Sequence, residues 1–389
     1  MREMSDFYGY ARPDGSVGIR NHVAVIPSVA CANGVVAAIA RELPDAVPLP
    51  HGHGCGRGGE DLGLHFKTLA NLARNPNVYG VLVVGLGCEV IKAEYLAERM
   101  SHGGKPAEFF NIQDVGGSRR AAAKGVEIVR GMLAAAAKEK KAPFPLSAVV
   151  LGLECGGSDA FSGVTANPSV GLAADWLVEK GGTAIFSETT EMIGTSHILE
   201  RRSRNEEVAR EIASRIAAAE RRAHEILGPL AGQVIAPGNM DGGMSSIREK
   251  SLGCILKGGS SVINEVVDYA EPPQEKGLVI MDGPGYDTES ITGLAAAGCQ
   301  LMIFTTGRGN PIGFPLLPVI KVASNSRLYR SMEDDMDINA GAVLEGKTLQ
   351  EVAGEIIDLM VRVLGGEQSK AEINLQDGIL CLYTVTPSF

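Results

Sequence analysis

Basic charge is in short supply in this 389-residue chain: 36 Lys and Arg stand against 46 Asp and Glu, a formal net charge of −10. A nucleic-acid partner requires a basic footprint, so that class is excluded. Long apolar runs are missing too. The longest, Val78 to Leu86, contains Gly80 and Gly85 and is far too short to span a bilayer. Met1-Arg2-Glu3-Met4-Ser5-Asp6 has no basic-then-apolar leader pattern, and a soluble cytoplasmic protein is expected. Without a leader, the seven cysteines of so long a chain are not a disulfide framework. No Cys-x-x-Cys pair occurs, which argues against a closed structural zinc site. A complete dinucleotide fingerprint and Gly-x-Ser-x-Gly are also missing, and Gly346-Lys347-Thr348 lacks the upstream glycine of a phosphate loop.

Glycine, by contrast, is abundant at 49 residues of 389, against an average of roughly 7%. It has no three-residue period and proline is only 19, so collagen is excluded; 45% apolar content supplies a sizeable core rather than disorder. Glycine excess in such a chain points to tight turns or to backbone that approaches a ligand closely.

At about 150 residues per domain, the length predicts two or three domains. Short Val/Leu/Ile-rich strands at His22–Ser28, Ala46–Leu49, Tyr79–Gly85, Glu108–Ile112, Ala148–Gly152 and Thr183–Phe186 alternate with helical patterns. The alternation predicts an α/β fold with a parallel open sheet and helices on both faces, over residues 1–230. A second, smaller α/β domain is expected over 231–389, from the strand-like segments Leu278–Met281, Gln300–Phe304 and Val319–Val322. Asn205, Ser246 and Thr348 are expected to cap helices, the last two with capping-box spacing to Glu249 and Glu351.

Three cysteines share one context. Cys55, Cys88 and Cys155 each lie just past the carboxyl end of an expected strand, between glycines or beside an acid. That edge of a parallel sheet is where ligands bind, and three strands in one sheet would bring the thiols to one rim. They read either as small buried hydrophobes or as ligands of a soft metal: iron, an iron–sulfur cluster, zinc or copper(I). Three ligands with an open position suit a metal that substrate joins. Cys31 leaves the first strand in the same way but lacks flanking glycines, while Cys254, Cys299 and Cys381 sit in apolar patterns and are expected to be core thiols. His51 or His53 is a candidate ligand, general base or structural residue, and Glu154 adjoins Cys155. Arg308, in the loop Thr305–Pro311, can hold a carboxylate bidentately. Arg20-Asn21 is a similar candidate. Lys250 falls early in its helix, where a cation is electrostatically disfavoured, so it carries a functional reading.

Several motifs occur in one order: Gly9-Tyr10-x-Arg12-x-Asp14-Gly15-x-x-Gly18-x-Arg20-Asn21, His51-x-x-Gly54-Cys55-Gly56, Leu86-Gly87-Cys88, Gly152–Asp159 and Phe304–Gly309. Together they resemble the altronate/galactarate dehydratase family, essentially from end to end. The resemblance implies an iron-dependent lyase that removes water from a 2,3-dihydroxy sugar acid to leave a 2-keto-3-deoxy acid. A relative of similar organisation, the sulfolactate sulfo-lyase, releases sulfite from 3-sulfolactate instead; a non-catalytic binding subunit is the third reading. On the resemblance, iron, as Fe2+ or as an iron–sulfur cluster with an open iron, sits on Cys55, Cys88 and Cys155. Arg20, Asn21, Gly157, Ser158, Asp159, Arg308 and Asn310 would bind the small carboxylate substrate, and His51, Lys250 and Glu154 would be catalytic. Single-chain members carry a small N-terminal SAF-type domain, whereas this sequence opens at the Gly-Tyr-x-Arg segment. A separate small SAF-domain subunit is therefore an expected partner, alongside further copies of the large subunit.

Overall fold

A computed structural model describes residues 6–233 and 235–388. Met1–Ser5 of the leader reading, and Phe389 at the end of the expected second domain, lie outside the described residues. The chain opens with β1 (Asp6–Ala11) and β2 (Val17–Gly18), an antiparallel pair. Then come β3 (His22–Pro27), β4 (Ala46–Pro48), β5 (Val78–Gly85) and β6 (Ala107–Asn111), which form a parallel sheet in the order β4-β3-β5-β6. β7 (Ala142–Pro145) returns to pair with β1.

The second parallel sheet takes β8 (Val150–Cys155), β9 (Thr183–Phe186), β10 (Ile263–Val267), β11 (Gly277–Met281), β12 (Leu301–Thr306), β13 (Val319–Ala323) and β14 (Ile338–Asn339). Its order is β10-β11-β9-β8-β12-β13-β14. Strands from both sides of residue 230 therefore share one sheet. The sheets part between Asn111 and Val150, so the expected boundary at 230/231 runs through the larger sheet. The physical reason is long-range pairing: Thr183–Phe186 lies against Gly277–Ile280 in parallel register, a contact that no local pattern announces.

Strands that are apolar on both faces need helices on both faces, and β5, buried along nearly its whole length, is the plainest case. Helices Asn33–Glu42 and Ser118–Ala136 cover one face of the four-stranded sheet. Its other face shares a core with the seven-stranded sheet, through helices Gly59–Arg74, Ala93–Ser101 and Asp287–Ala296. Helices Ala166–Glu179, Glu206–Leu227 and Leu349–Gly365 close the far side. The expected caps form: Asn205 accepts from Val208 N at 2.9 Å, and Thr348 and Glu351 complete a reciprocal box. At Ser246 the returning arm differs, because the Glu249 carboxylate takes the N–H of Ser245 at 2.8 Å instead.

Each sheet has a point where the connections leaving two neighbouring strands run to opposite sides, between β3 and β5 in the smaller and between β8 and β12 in the larger. Loops at the carboxyl ends of such strands diverge and leave a crevice. Close packing beneath the larger crevice is tested at a glycine. A Cβ on Gly171, in the helix Ala166–Glu179, would lie 2.9 Å from Gly259 Cα and press on the Leu256 carbonyl. Gly171→Ala is expected to lower unfolding free energy by about 1–3 kcal/mol. Gly131→Ala, in the helix Ser118–Ala136 with nothing within 4 Å of its Cβ, should raise it by about 0.5–1 kcal/mol. Urea unfolding of both variants checks the opposite signs.

Candidate active site

The larger crevice holds a buried ionic cluster. β8 ends in Glu154-Cys155, and consecutive strand residues face opposite sides of a sheet. Cys155 Sγ lies 3.4 Å from Cys254 Sγ and 3.5 Å from Glu191 Oε2. Lys257 Nζ is 3.3 Å from Cys155 Sγ, 3.0 Å from Cys254 Sγ, and ion-paired with Glu188. Lys250 pairs with Glu191. Spacings of four and three residues put Lys250, Cys254 and Lys257 on one face of the helix Ile247–Cys254 and the turn that continues it. Glu188 and Glu191 come from the turn after β9, where Glu188 adopts φ +72°, an uncommon conformation for a side chain of this kind.

On the other face Glu154, Phe304 and Lys321 stand in register across β8, β12 and β13. Ser290 Oγ donates to Glu154 Oε2 at 2.6 Å, and Lys321 Nζ sits 3.5 Å from the centre of the Phe304 ring. Glu154 Oε1, Glu188 Oε1 and Lys321 Nζ are buried without hydrogen-bond partners. Asp287, at the start of the helix Asp287–Ala296, accepts from Asn310 Nδ2 at 2.7 Å. Glycine admits this crowding: a Cβ on Gly156 would collide with the Asp287 carboxylate and the Phe304 ring. Gly157, at φ +62°, turns its carbonyl to accept from the N–H groups of Gly307 at 3.0 Å and Arg308 at 2.8 Å, clamping the loops after β8 and β12.

Electrostatics follow burial. Loss of water pushes Glu188 up to about 7 and raises Glu154 well above the usual carboxylate range. Burial also pulls Lys321 down to about 7. Burial works against the Lys250 charge as well, but Glu191 and then Cys155 outweigh it and raise its pKa. The hydrogen bond to Cys254, with burial, raises the Cys155 thiol.

Donor atoms of Cys155, Glu188, Glu191 and Cys254 all lie within 4.8 Å of one another, as do those of Glu154, Glu188 and Asp287. Both groups could hold a metal ion, which in the first would displace thiol protons on binding. Cys254 is thus no plain core thiol, as its apolar context suggested; it is buried, but against Cys155 and Lys257. Cys299 is buried and Cys381 half-buried.

The three expected metal ligands do not converge on one rim. Cys55 and Cys88 follow β4 and β5 of the smaller sheet and are exposed, while Cys155 closes a strand of the larger one and is buried. Among the described residues, neither Cys55 nor Cys88 joins a group of three or more His, Cys, Asp or Glu within 4.8 Å.

Arg20 and Asn21 stand before β3, at the edge opposite the cysteines. Arg20 grips Glu372 at 2.8 and 3.0 Å, and Asn21 bridges Arg12 and the Ala136 carbonyl. Asp159 accepts from Ser162, Ser324 and Asn325, and Ser158 gives its carbonyl to Asn239. Arg308 is exposed and lines a cavity of about 550 Å3 with Asp159 and Asn325. A second cavity, about 780 Å3, lies between Thr189-Thr190 and the start of the helix Gly59–Arg74.

Sequence reading missed Glu188, Glu191, Lys257 and Lys321. The helical spacing of Lys250, Cys254 and Lys257 was available as a signal, as was a lone lysine inside the apolar strand Val319–Ala323.

A buried set of thiols, carboxylates and lysines at the switch point of a parallel sheet defines an α/β protein with an enzyme's site, supplied with donors for a metal. Comparison narrows this. The family model described as D-galactarate/Altronate dehydratase, C-terminal, matches residues 146–386, and that described as D-galactarate dehydratase/Altronate hydrolase, second domain, matches residues 9–137. The chain belongs to the D-galactarate/altronate dehydratase family and is a lyase.

It is 37% identical to altronate dehydratase of Bacillus subtilis, over 96% of this chain and 76% of that one. It is 35% identical to galactarate dehydratase (L-threo-forming) of Escherichia coli, over 93% and 73%. With the (2R)-sulfolactate sulfo-lyase subunit beta of Chromohalobacter salexigens it shares 36% identity over 94% of both chains. Among the described residues no helix is long and apolar enough to cross a membrane.

His51 has both ring nitrogens engaged: Nε2 bonds the Pro27 carbonyl at 2.8 Å and Nδ1 accepts from His53 N at 3.2 Å. Burial lowers its pKa from 6.5 to about 4. A depressed histidine contributes stability that is present above 6.5 and is lost as pH falls toward 4. His51→Gln should therefore be less stable than wild type at pH 7, with the gap narrowing by up to about 2 kcal/mol at pH 5. Denaturant unfolding at the two pH values checks this; a constant gap contradicts a buried neutral ring.

Proposed function

We propose that the chain eliminates water from a small 2-hydroxy sugar acid, such as altronate or galactarate, to give a 2-keto-3-deoxy acid, with a metal ion assisting. The observation that carries this reading is the Cys155/Glu188/Glu191/Cys254 group beside Lys250. Its donor set of two thiols and two carboxylates fits ferrous iron, and Glu188 Oε1, buried without a hydrogen-bond partner, is left free to take a cation. A divalent ion held there supplies Lewis-acid stabilisation of the charge that builds when a proton leaves the carbon next to a carboxylate.

The remaining work falls to side chains. Lys250, kept protonated by Glu191, is the more accessible member of that pair and donates the proton that the departing 3-hydroxyl needs. Glu154, held by Ser290 with one oxygen free, is the second catalytic group. Arg308 holds the carboxylate, Asn310 is aimed by Asp287, and Gly157, Ser158 and Asp159 shape the loop. His51, with no free ring nitrogen, holds its loop rather than moving a proton.

The sulfo-lyase reading is favoured by the 36% identity over 94% of both chains with a protein named as a subunit beta; on that reading we propose that a small SAF-domain subunit works beside this chain. Anaerobic assay with ferrous iron, with and without such a subunit, separates the readings: a 2-keto-3-deoxy acid from sugar acids supports the first, and sulfite from sulfolactate supports the second. Lys250→Met should lower kcat by about 10²–10⁴ with little change in KM. Chelation should abolish turnover and ferrous iron restore it; full activity in metal-free protein would overturn the metal-assisted reading.

A further inference from the structure

The smaller sheet repeats the arrangement of the larger one with different donors. Cys31, Cys55 and Cys88 follow β3, β4 and β5, which are neighbours in the sheet. Neighbouring strands lie about 4.8 Å apart, so the three loops leave the sheet within about 10 Å of one another. All three thiols are exposed, whereas the chain's other four are buried or half-buried.

The loops are tied together. Ala30 N donates to the His53 carbonyl at 2.9 Å, and Asn33 Nδ2 to the His51 carbonyl at 2.9 Å. The Glu89 carboxylate accepts from Ser28 Oγ and from Gly87 N, each at 2.6 Å, joining the loop after β3 to that after β5. His51 bonds the Pro27 carbonyl. Beside Cys55 and Cys88, Gly56 and Gly87 take φ +81° and +125°, turns that other residues rarely make. Asn33 Oδ1 is left buried with no donor.

We propose that Cys31, Cys55 and Cys88 together hold an iron–sulfur cluster, separate from the Cys155 group. Three thiolates on rigid loops at a switch point are the donor chemistry of such a cluster. Single-ion binding fits less well, because the three are absent from the described groups whose donors all lie within 4.8 Å. A cluster is several atoms across and spans a wider triangle. On assembly the three thiols give up their protons to solvent, and with three protein ligands one iron stays open. From Cys55 the chain enters the helix at Gly59, which lines the 780 Å3 cavity opposite Thr189 and Thr190, the residues between Glu188 and Glu191. The segments that carry Cys55 and the Glu188/Glu191 pair thus both reach one cavity. This goes beyond the lyase reading and stands or falls separately from it.

The test uses the full chain, purified without oxygen and reconstituted with sulfide and equal amounts of ferrous and ferric iron, so that a cluster with two irons of each valence assembles without a further oxidant, then desalted. Expected are labile sulfide and the broad visible absorption of sulfide-to-iron charge transfer. Cys31→Ser, Cys55→Ser and Cys88→Ser should each lose both, while Cys155→Ser and Cys254→Ser keep them, with circular dichroism reporting the fold. Should a variant not fold, alkylation of wild type followed by mass spectrometry decides: the three thiols should be protected after reconstitution and modified after chelation. Iron without sulfide, loss of the chromophore in Cys155→Ser, or equal alkylation in both states overturns the cluster.

Discussion

Burial of three carboxylates and two lysines at one sheet edge, with one more of each half-buried beside them, is the constraint around which the larger domain is arranged. Glu154, Glu188, Glu191 and the half-buried Asp287 lie among Lys257, Lys321 and the half-buried Lys250. Taking one such ion out of water costs several kcal/mol even after relaxation. Pairing recovers part of this for Lys257 with Glu188 and for Lys250 with Glu191. It recovers little for Lys321, which has the face of Phe304 and the field of Asp287 and Asp337 but no hydrogen-bond acceptor. The offset comes from elsewhere: a seven-stranded sheet with apolar layers on both faces, each fully buried Leu, Ile or Val contributing about 1.5–3 kcal/mol. Counted as ions, the cluster is one positive charge short, and the orphaned oxygens of Glu154 and Glu188 are where the shortage is felt.

Much of this fold was legible in the sequence because parallel strands and amphipathic helices carry strong local patterns. Thr183–Phe186 has the same limits in the sequence reading and in the structure. The division into sheets was not legible. Whether β8 joins the strands before it or after it depends on Leu301–Thr305 pairing with Leu151–Cys155, a contact about 150 residues away that costs loop entropy and leaves no local trace. The same error moved the expected metal ligands. Cys55, Cys88 and Cys155 share one local motif, a thiol after a strand among glycines, and motif alone cannot say which sheet a strand enters.

The site residues that escaped notice fail differently. Glu188 and Glu191 sit in a Ser-Glu-Thr-Thr-Glu stretch that reads as an ordinary polar turn; only the φ of +72° at Glu188 and its contact with Lys257 mark it as unusual. Such conformations cost about 1–3 kcal/mol and persist where surrounding structure holds them. Here the lysine supplies the hold. Lys321 was visible in the strand Val319–Ala323, yet a lysine in a short apolar run reads as an edge residue until its neighbours β12 and β14 are known.

Glycine links the two halves. In the larger sheet Gly156 and Gly157 let the loop after β8 close against Asp287 and the loop after β12; in the smaller, Gly56 and Gly87 turn the chain beside exposed thiols. Both sheets use their switch points the same way, but with donors of different character: mixed carboxylate, thiol and ammonium in one, thiols alone in the other. A cavity lies between them, and the chain's last residues cross to hold its walls. Asp61 takes the N–H of Val385 at 2.7 Å, Arg57 donates to the Thr386 carbonyl at 3.2 Å, and Arg222 of the opposite wall donates to Tyr383 Oη at 2.5 Å. Because this strap fastens the Cys55 loop and the helix Glu206–Leu227 at once, neither wall can shift without breaking bonds at the other. The loop that carries Cys55 and the helix Glu206–Leu227 are thereby fastened to one another through the same few residues near the chain's end.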